Sequence, residues 1–327
     1  MARETRWFFS LFACAALACS SDGGDDGTPA PPFGGGEPPV QQSSGGTAGA
    51  GGSSSMGIQG TPEQNPIGAP IDPGLGTPSD NGIGGAPPNS EDDDTPPANT
   101  EPPALENVLV FSRTVGYRHD AIGVGIEAIR QLGSANGFGV VATEDAAQFT
   151  DATLAGFDVV VFLSTTSDVL DDTQQAAFQR YIQAGGGWVG VHAATDTEYD
   201  WPWYGQLIGG NAWFKSHPEI QTVTLDVEKA DHASTAHLPA TFQLQDEWYN
   251  FQANPRPSVT VLLRLDESSY SPGVDAMGDD HPIAWYHEFD GGRAWYTALG
   301  HRQELYQDPL FTQHLLGGIR WAAGVAP

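Results

Sequence analysis

Cysteine is nearly missing from this chain. Of 327 residues only two are Cys. Both, Cys14 and Cys19, stand close to the N-terminus. With Cys19 as the lipid anchor and first residue of the mature protein, the mature domain has no thiol. That excludes a disulfide scaffold, a zinc–thiolate site and a cysteine nucleophile. Positive charge is scarce as well: Lys plus Arg number 13 against 41 acidic residues, a formal net charge of −28. Nucleic acid and anionic lipid surfaces both demand basic patches, so neither is an expected partner. Long apolar runs are also lacking. The one near the N-terminus, from Trp7 through Phe12 to Ala18, is too short to span a bilayer.

That short run follows Arg3 and Arg6, which gives residues 1–19 the shape of a bacterial secretory signal. Ala16-Leu17-Ala18-Cys19 resembles a lipobox, with Ala where Leu is commonest at its first position. Cys19 is therefore the expected lipidation site, and the protein is expected to be exported and membrane-anchored. Leu11-Phe12-Ala13-Cys14 fits less well, because Phe sits badly beside the cleavage site. An ordinary cleaved signal is the competing reading.

Residues 20–104 lack Lys, Arg and His altogether and hold one aromatic, Phe33. They contain 19 Gly, 16 Pro and 12 acidic residues. Such a segment cannot bury enough apolar surface to offset its ordering entropy. It reads as a disordered tether, and the Gly/Ser/Asp-rich stretch just after Cys19 suits a lipoprotein. The folded domain is then 105–327, with all nine His and eight of the nine Trp. Its 28 acidic and 11 basic residues keep it acidic.

Within the domain, 107–112 is a continuous apolar run, like a strand buried on both faces. A helix is expected over 120–135, stopped by Asn136-Gly137, then strands at 138–143 and 157–164. A helix over 171–184 ends at Gly185-Gly186-Gly187, and a strand over 188–192 follows. Alternating strand and helix at this spacing predicts an α/β fold with a doubly wound, mainly parallel, flavodoxin-like sheet. The second half is richer in β: strands are expected at 219–227, 241–247, 259–265, 283–289 and 293–299, with a final helix over 309–322.

In such a sheet ligands bind beyond the carboxyl ends of the strands. Arg118 and His119 follow the first strand. His192 ends the fourth, with Asp196 four residues on. Glu247 ends a later strand, and His301 follows the last one. His217 lies in a polar segment that could reach the same rim. Several imidazoles at one rim suit proton transfer or metal ligation near neutral pH. His232, His237, His287 and His314 are expected to be structural. Trp201, Trp203, Tyr204, Trp213 and Phe214 cluster after His192; flat aromatic faces pack well on sugar rings, or form a subcore under a long crossover.

Gly187-Trp188-Val189-Gly190-Val191-His192-Ala193-Ala194 reads as a strand, a sharp turn and a helix start, the shape of a nucleophile elbow. Class I glutamine amidotransferases place Cys at the tip, where this chain has His192. The domain resembles the ThuA-like (trehalose utilisation) family, a relative of those amidotransferases in fold. The matching segments are Val110 through His119, Gly185 through Asp196, Asp246-Glu247-Trp248-Tyr249, Pro282-Ile283-Ala284-Trp285 and Gly292 through His301. The resemblance implies the amidotransferase-like α/β fold and a link to disaccharide or keto-glycoside metabolism. It also puts His301 where amidotransferases keep the His that activates the cysteine. With His192 in place of Cys, thioester chemistry is excluded.

The expected function is acid–base chemistry on a carbohydrate, as a hydrolase or lyase. His192 or His301 is the expected base, Asp196 orients an imidazole, and Glu247 is the partner acid. Arg118, His119, Trp201, Trp213, His217 and Tyr249 are the expected substrate contacts. No cofactor is evident. A divalent metal on His119, His192 or His301 is chemically open, but no His-Glu-x-x-His spacing supports it. The alternative is a surface lipoprotein that binds sugar without turnover.

Overall fold

The computed structural model describes residues 104–325. The signal segment, Cys19 and the tether lie outside the described residues.

The strands are β1 (Asn107–Phe111), β2 (Gly139–Thr143), β3 (Val159–Leu163), β4 (Gly187–Val191), β5 (Phe214–Ser216), β6 (Gln221–Val227), β7 (Thr241–Asp246), β8 (Asn250–Phe251), β9 (Thr260–Leu265), β10 (His281–Phe289) and β11 (Gly292–Thr297). The helices are α1 (Ile122–Asn136), α2 (Asp151–Leu154), α3 (Asp172–Gln183), α4 (Pro202–Leu207) and α5 (Pro309–Ala322). Nine strands form one sheet in the order β2-β1-β3-β4-β11-β10-β9-β6-β7. From β2 to β11 every pairing is parallel; from β11 to β7 every pairing is antiparallel. The sequence reading of an α/β, flavodoxin-like sheet holds. The β-rich second half extends that same sheet through antiparallel pairings.

The reasons are local. β3 and β4 are buried along their whole length, as strands covered on both faces must be. α1 ends at Gly137, whose φ of 83° is the left-handed cap that glycine adopts without strain. α3 opens on a capping box between Asp171 and Gln174. α5 opens on Asp308, which accepts from the Leu310 N–H, with Pro309 at its first position. The two short strands β5 and β8 pair with each other. They, with α2 and α4, carry no clear periodicity over so few residues. Among the described residues no helix is long and apolar enough to cross a membrane.

Strand direction decides where chemistry gathers. Each antiparallel step reverses the chain, so β7 and β9 point the same way as β1, β4 and β11. The residues that follow β1, β4, β7 and β11 therefore emerge at one edge of the sheet.

Candidate active site

His192 begins a short 3-10 turn directly after β4. Its φ is 52°, left-handed for a residue with a Cβ. Such strain is typically ~1–3 kcal/mol and persists where surrounding structure enforces it. Here the Tyr296 hydroxyl donates to the His192 carbonyl at 2.8 Å, and the Tyr204 hydroxyl donates to the Ala194 carbonyl at 2.7 Å. The ring is fixed as well. Nδ1 lies 2.8 Å from the Ala298 carbonyl, and Tyr249 lies against one face with ring centroids 4.4 Å apart. A carbonyl only accepts, so Nδ1 carries the hydrogen and Nε2 points into the site.

His301 follows β11 by way of Gly300, whose φ is 118°. A Cβ there would meet the Tyr306 hydroxyl at 2.7 Å, so both conformation and space require glycine. The buried Asp246 carboxylate accepts from the Gly300 and Arg302 N–H groups, at 2.8 and 3.1 Å. Glu247 comes next in the chain. Its Oε2 lies 3.3 Å from His192 Nε2 and 3.2 Å from His301 Nδ1, while its Oε1 lies 3.2 Å from His217 Nδ1. His301 Nδ1 and His192 Nε2 are 3.3 Å apart. His119, buried after β1, turns its ring edge-on to His192 and His301 with centroids at 4.7 and 5.4 Å. Ligand atoms of His119, His192, Glu247 and His301 all lie within 4.8 Å of one another, close enough to share a metal ion.

Three of these residues, His119, Glu247 and His301, line a cavity of about 270 Å³, with His192 buried behind them. The lining is Tyr117, His119, Asp196, Phe214, His217, Glu247, Tyr249 and His301. A larger open depression near Gly185, Asp290 and Arg293 lies at the amino ends of β4 and β11, away from these groups.

Charge is distributed unevenly around the cavity. Burial would raise the Glu247 carboxyl, but the imidazoles of His192 and His301 outweigh it and hold it well below the usual carboxylate range. Burial, with His192 and His301 nearby, pushes His119 down to about 3. Burial also opposes the charged form of His301, yet the hydrogen bond and charge of Glu247 raise it. Asp196 moves the other way from Glu247: burial raises its carboxyl, against the hydrogen bond that Tyr199 donates at 2.6 Å.

The trehalose-utilisation (ThuA) family model matches residues 107–322. The chain belongs to the ThuA family. This gives the ThuA domain a carbohydrate-related role. Its fold is similar to that of a ThuA-like protein from Bacteroides uniformis ATCC 8492, with 26% identity and a TM-score of 0.58 over 69% of this chain and 94% of that one. A ThuA-like protein from Parabacteroides merdae ATCC 43184 shares the fold at 20% identity and a TM-score of 0.56, over 69% of this chain and 92% of that one. No curated protein matches the chain.

Within this ThuA domain the structure brings together His119, His192, Asp196, His217, Glu247, Tyr249 and His301. Three expected substrate contacts lie elsewhere. Arg118 forms a two-pronged ion pair with Glu144, at 2.7 and 3.1 Å, and lines no part of the cavity. Trp201 stacks on Trp203 and Tyr204 as part of a subcore against Phe178. Trp213 stacks on Tyr199 and donates its indole N–H to the Thr197 carbonyl. Two roles also change. Asp196 bonds Tyr199 and not an imidazole; the Ala298 carbonyl orients His192. His192 itself is fully buried, beneath the cavity and not open to it. His232, His237, His287 and His314 each bond a nearby hydroxyl or carbonyl, as structural histidines do.

Sequence reasoning missed Asp246 and Tyr117 as site-forming residues; of the aromatic cluster after His192, Phe214 is the member that lines the cavity. It also missed His281, buried between Glu267 and the Tyr249 carbonyl at 2.8 Å each, which fixes the backbone that carries Tyr249. An acidic pair at a strand end, Asp246-Glu247, was the available signal.

Proposed function

We propose that this domain performs acid–base chemistry on a carbohydrate, a disaccharide or keto-glycoside, held in the cavity beyond β1, β4, β7 and β11. The observation that carries this reading is the pairing of opposed groups on one cavity. Asp196, half-buried and with its carboxyl raised by that burial, lines the same space as His301 and Glu247, whose carboxyl is held low by the imidazoles beside it. Carboxyl groups with divergent environments are how one site runs acid and base steps together. Asp196 is the proton donor to a departing or carbonyl oxygen. His301 and Glu247 bind and polarise the opposite side of the sugar. The flat rings of Phe214 and Tyr249, tilted together at 4.4 Å, offer an apolar face to the sugar.

The size of the site supports a sugar ring. Small-molecule pockets run roughly 300–1,000 Å³, and 270 Å³ lies just below that range, on the scale of one sugar ring. One ring fits inside, and a second lies outward, where Asp196 and Phe214 continue into an open groove with Tyr199, Lys215 and Gln252. Hydrolysis, elimination and isomerisation all use this proton delivery. Cysteine amidotransferase chemistry is excluded, because the elbow carries His192.

The test incubates the full chain with trehalose and with an oxidised (keto) disaccharide, and follows products by mass spectrometry. Turnover that falls by roughly 10²–10⁴ in Asp196→Asn, with unchanged melting temperature, supports the reading. Sugar binding without product supports the non-catalytic alternative. Neither binding nor product on this panel overturns the carbohydrate reading.

A further inference from the structure

We propose that His119, His192, Glu247 and His301 bind one divalent first-row transition-metal ion at the floor of the cavity. The proposal deepens the reading of that cavity and rests on it only for the place, not for the substrate.

The first argument is distance. Three atoms, His192 Nε2, His301 Nδ1 and Glu247 Oε2, are separated by 3.3, 3.2 and 3.3 Å. Charge-assisted hydrogen bonds are shorter, at about 2.7–2.9 Å. A tetrahedral ion with bonds of about 2.0–2.1 Å, by contrast, spaces its ligands at about 3.3 Å along each edge. The triangle has the dimensions of a coordination face.

The second argument is proton count. His192 Nδ1 gives its hydrogen to the Ala298 carbonyl, so in its neutral form the ring presents a bare lone pair at Nε2. That lone pair faces Glu247 Oε2, which is also an acceptor. One hydrogen on His301 Nδ1 can satisfy only one of them. His119 adds a buried imidazole whose Nδ1 has no hydrogen-bond partner. Buried lone pairs that face each other are costly, and a cation at their centre satisfies them together.

The third argument is the surrounding support. Metal-bound imidazoles commonly donate their second N–H to a carbonyl, as His192 does to Ala298. Ligating carboxylates are approached from outside, as Glu247 Oε1 is by His217 Nδ1 at 3.2 Å, a ring nitrogen that also meets the Pro218 carbonyl at 2.9 Å. Asp246 clamps both main-chain neighbours of His301. Three imidazoles and one carboxylate suit zinc-like ions; calcium and magnesium prefer all-oxygen shells.

The experiment uses the tag-free full chain, stripped with a chelator and dialysed. Zn²⁺ alone is titrated by calorimetry, with metal content measured by mass spectrometry. One equivalent is expected for the wild type. Affinity is expected to fall roughly tenfold or more in His301→Ala and in Glu247→Gln, and to stay unchanged in His237→Ala. Should a variant fail to fold, Co²⁺ loading of the wild type reads the site by its visible absorption: bands of a low-coordinate nitrogen–oxygen site, complete at one equivalent, are expected. No bound Zn²⁺ in the wild type, equal affinity in His301→Ala, or a Co²⁺ spectrum of the hydrated ion overturns the proposal. Metal bound without any sugar binding or turnover sinks the carbohydrate reading alone. Sugar turnover in metal-free protein that takes up no Zn²⁺ sinks this one alone.

Discussion

The carboxylate of Asp246 holds His301 from both sides. Its two oxygens accept from the N–H groups of Gly300 and Arg302, the residues that flank that histidine in the chain. Because Glu247 is the next residue, the end of β7 both contributes a charged group to the site and fixes the loop that brings His301 to meet it. Two distant stretches of sequence are thereby tied together.

This relationship predicts the effect of Asp246→Asn. The change is isosteric, but the amide NH₂ must face one of two backbone donors. One buried N–H loses its acceptor, which typically costs about 1–3 kcal/mol. Chemical denaturation should show that loss. Ligand affinity at the cavity should fall as well, because the His301 loop is no longer held on both sides. A variant as stable as wild type would show that the clamp is dispensable.

A second prediction separates Arg118 from Phe214. Arg118 and Glu144 form an exposed pair, a kind worth about 0–1 kcal/mol. Arg118→Ala should leave sugar binding unchanged. Phe214→Ala removes an aromatic wall of the cavity and should weaken sugar binding, by roughly fivefold or more if stacking is worth the usual ~1 kcal/mol. Titrations with one ligand on both variants check this. The reverse ranking would restore Arg118 to the site.

The contrast also shows what a sequence can and cannot reveal. His119, His192, Glu247 and His301 were legible because each follows an apolar strand, and strand direction alone sends those ends to one edge. The elbow was legible too: small residues after His192 allow the turn that its φ of 52° requires. Arg118 adjoins His119 in the chain, yet it meets Glu144, which follows β2. Which of two neighbours faces a cavity depends on partners from other elements. The same holds for Trp201, whose fate was set by Phe178 on α3. Asp246 escaped notice because its importance lies in two backbone N–H groups of a loop more than fifty residues away.

A third prediction concerns the N-terminal segment, whose sequence resembles a lipobox. Cys19 should be acylated and should retain the protein in the membrane fraction. Cys19→Ser should release it or leave it as an unprocessed precursor. Fractionation of cells that express both forms is the check. Identical partitioning of the two would leave the anchor without support.

The last prediction is a dependence of stability on pH, set by histidines far from the cavity. Burial pushes His232 down to about 4 and His314 down to about 3, from an ordinary value of 6.5. His314 bonds the Ser234 carbonyl and His232 bonds the Ser234 hydroxyl, both at 2.8 Å. The folded chain keeps both rings neutral, whereas the unfolded chain protonates them below 6.5. Unfolding therefore takes up protons in the window between 6.5 and these lowered values. The stability they contribute is fully present above that window and is lost as pH falls into it. Each group loses about 1.4 kcal/mol between pH 7.5 and 5.5, so the two together should lose roughly 2.7 kcal/mol. The lowered His119 adds to this loss, while raised carboxyls such as Asp196 and Asp246 act in the opposite sense. Urea denaturation at the two pH values measures the loss, and His314→Leu should show a shallower slope than wild type despite its lower stability. A wild-type stability that is flat or rises on acidification would mean that these rings are protonated in the folded state and that their burial is not what sets their charge.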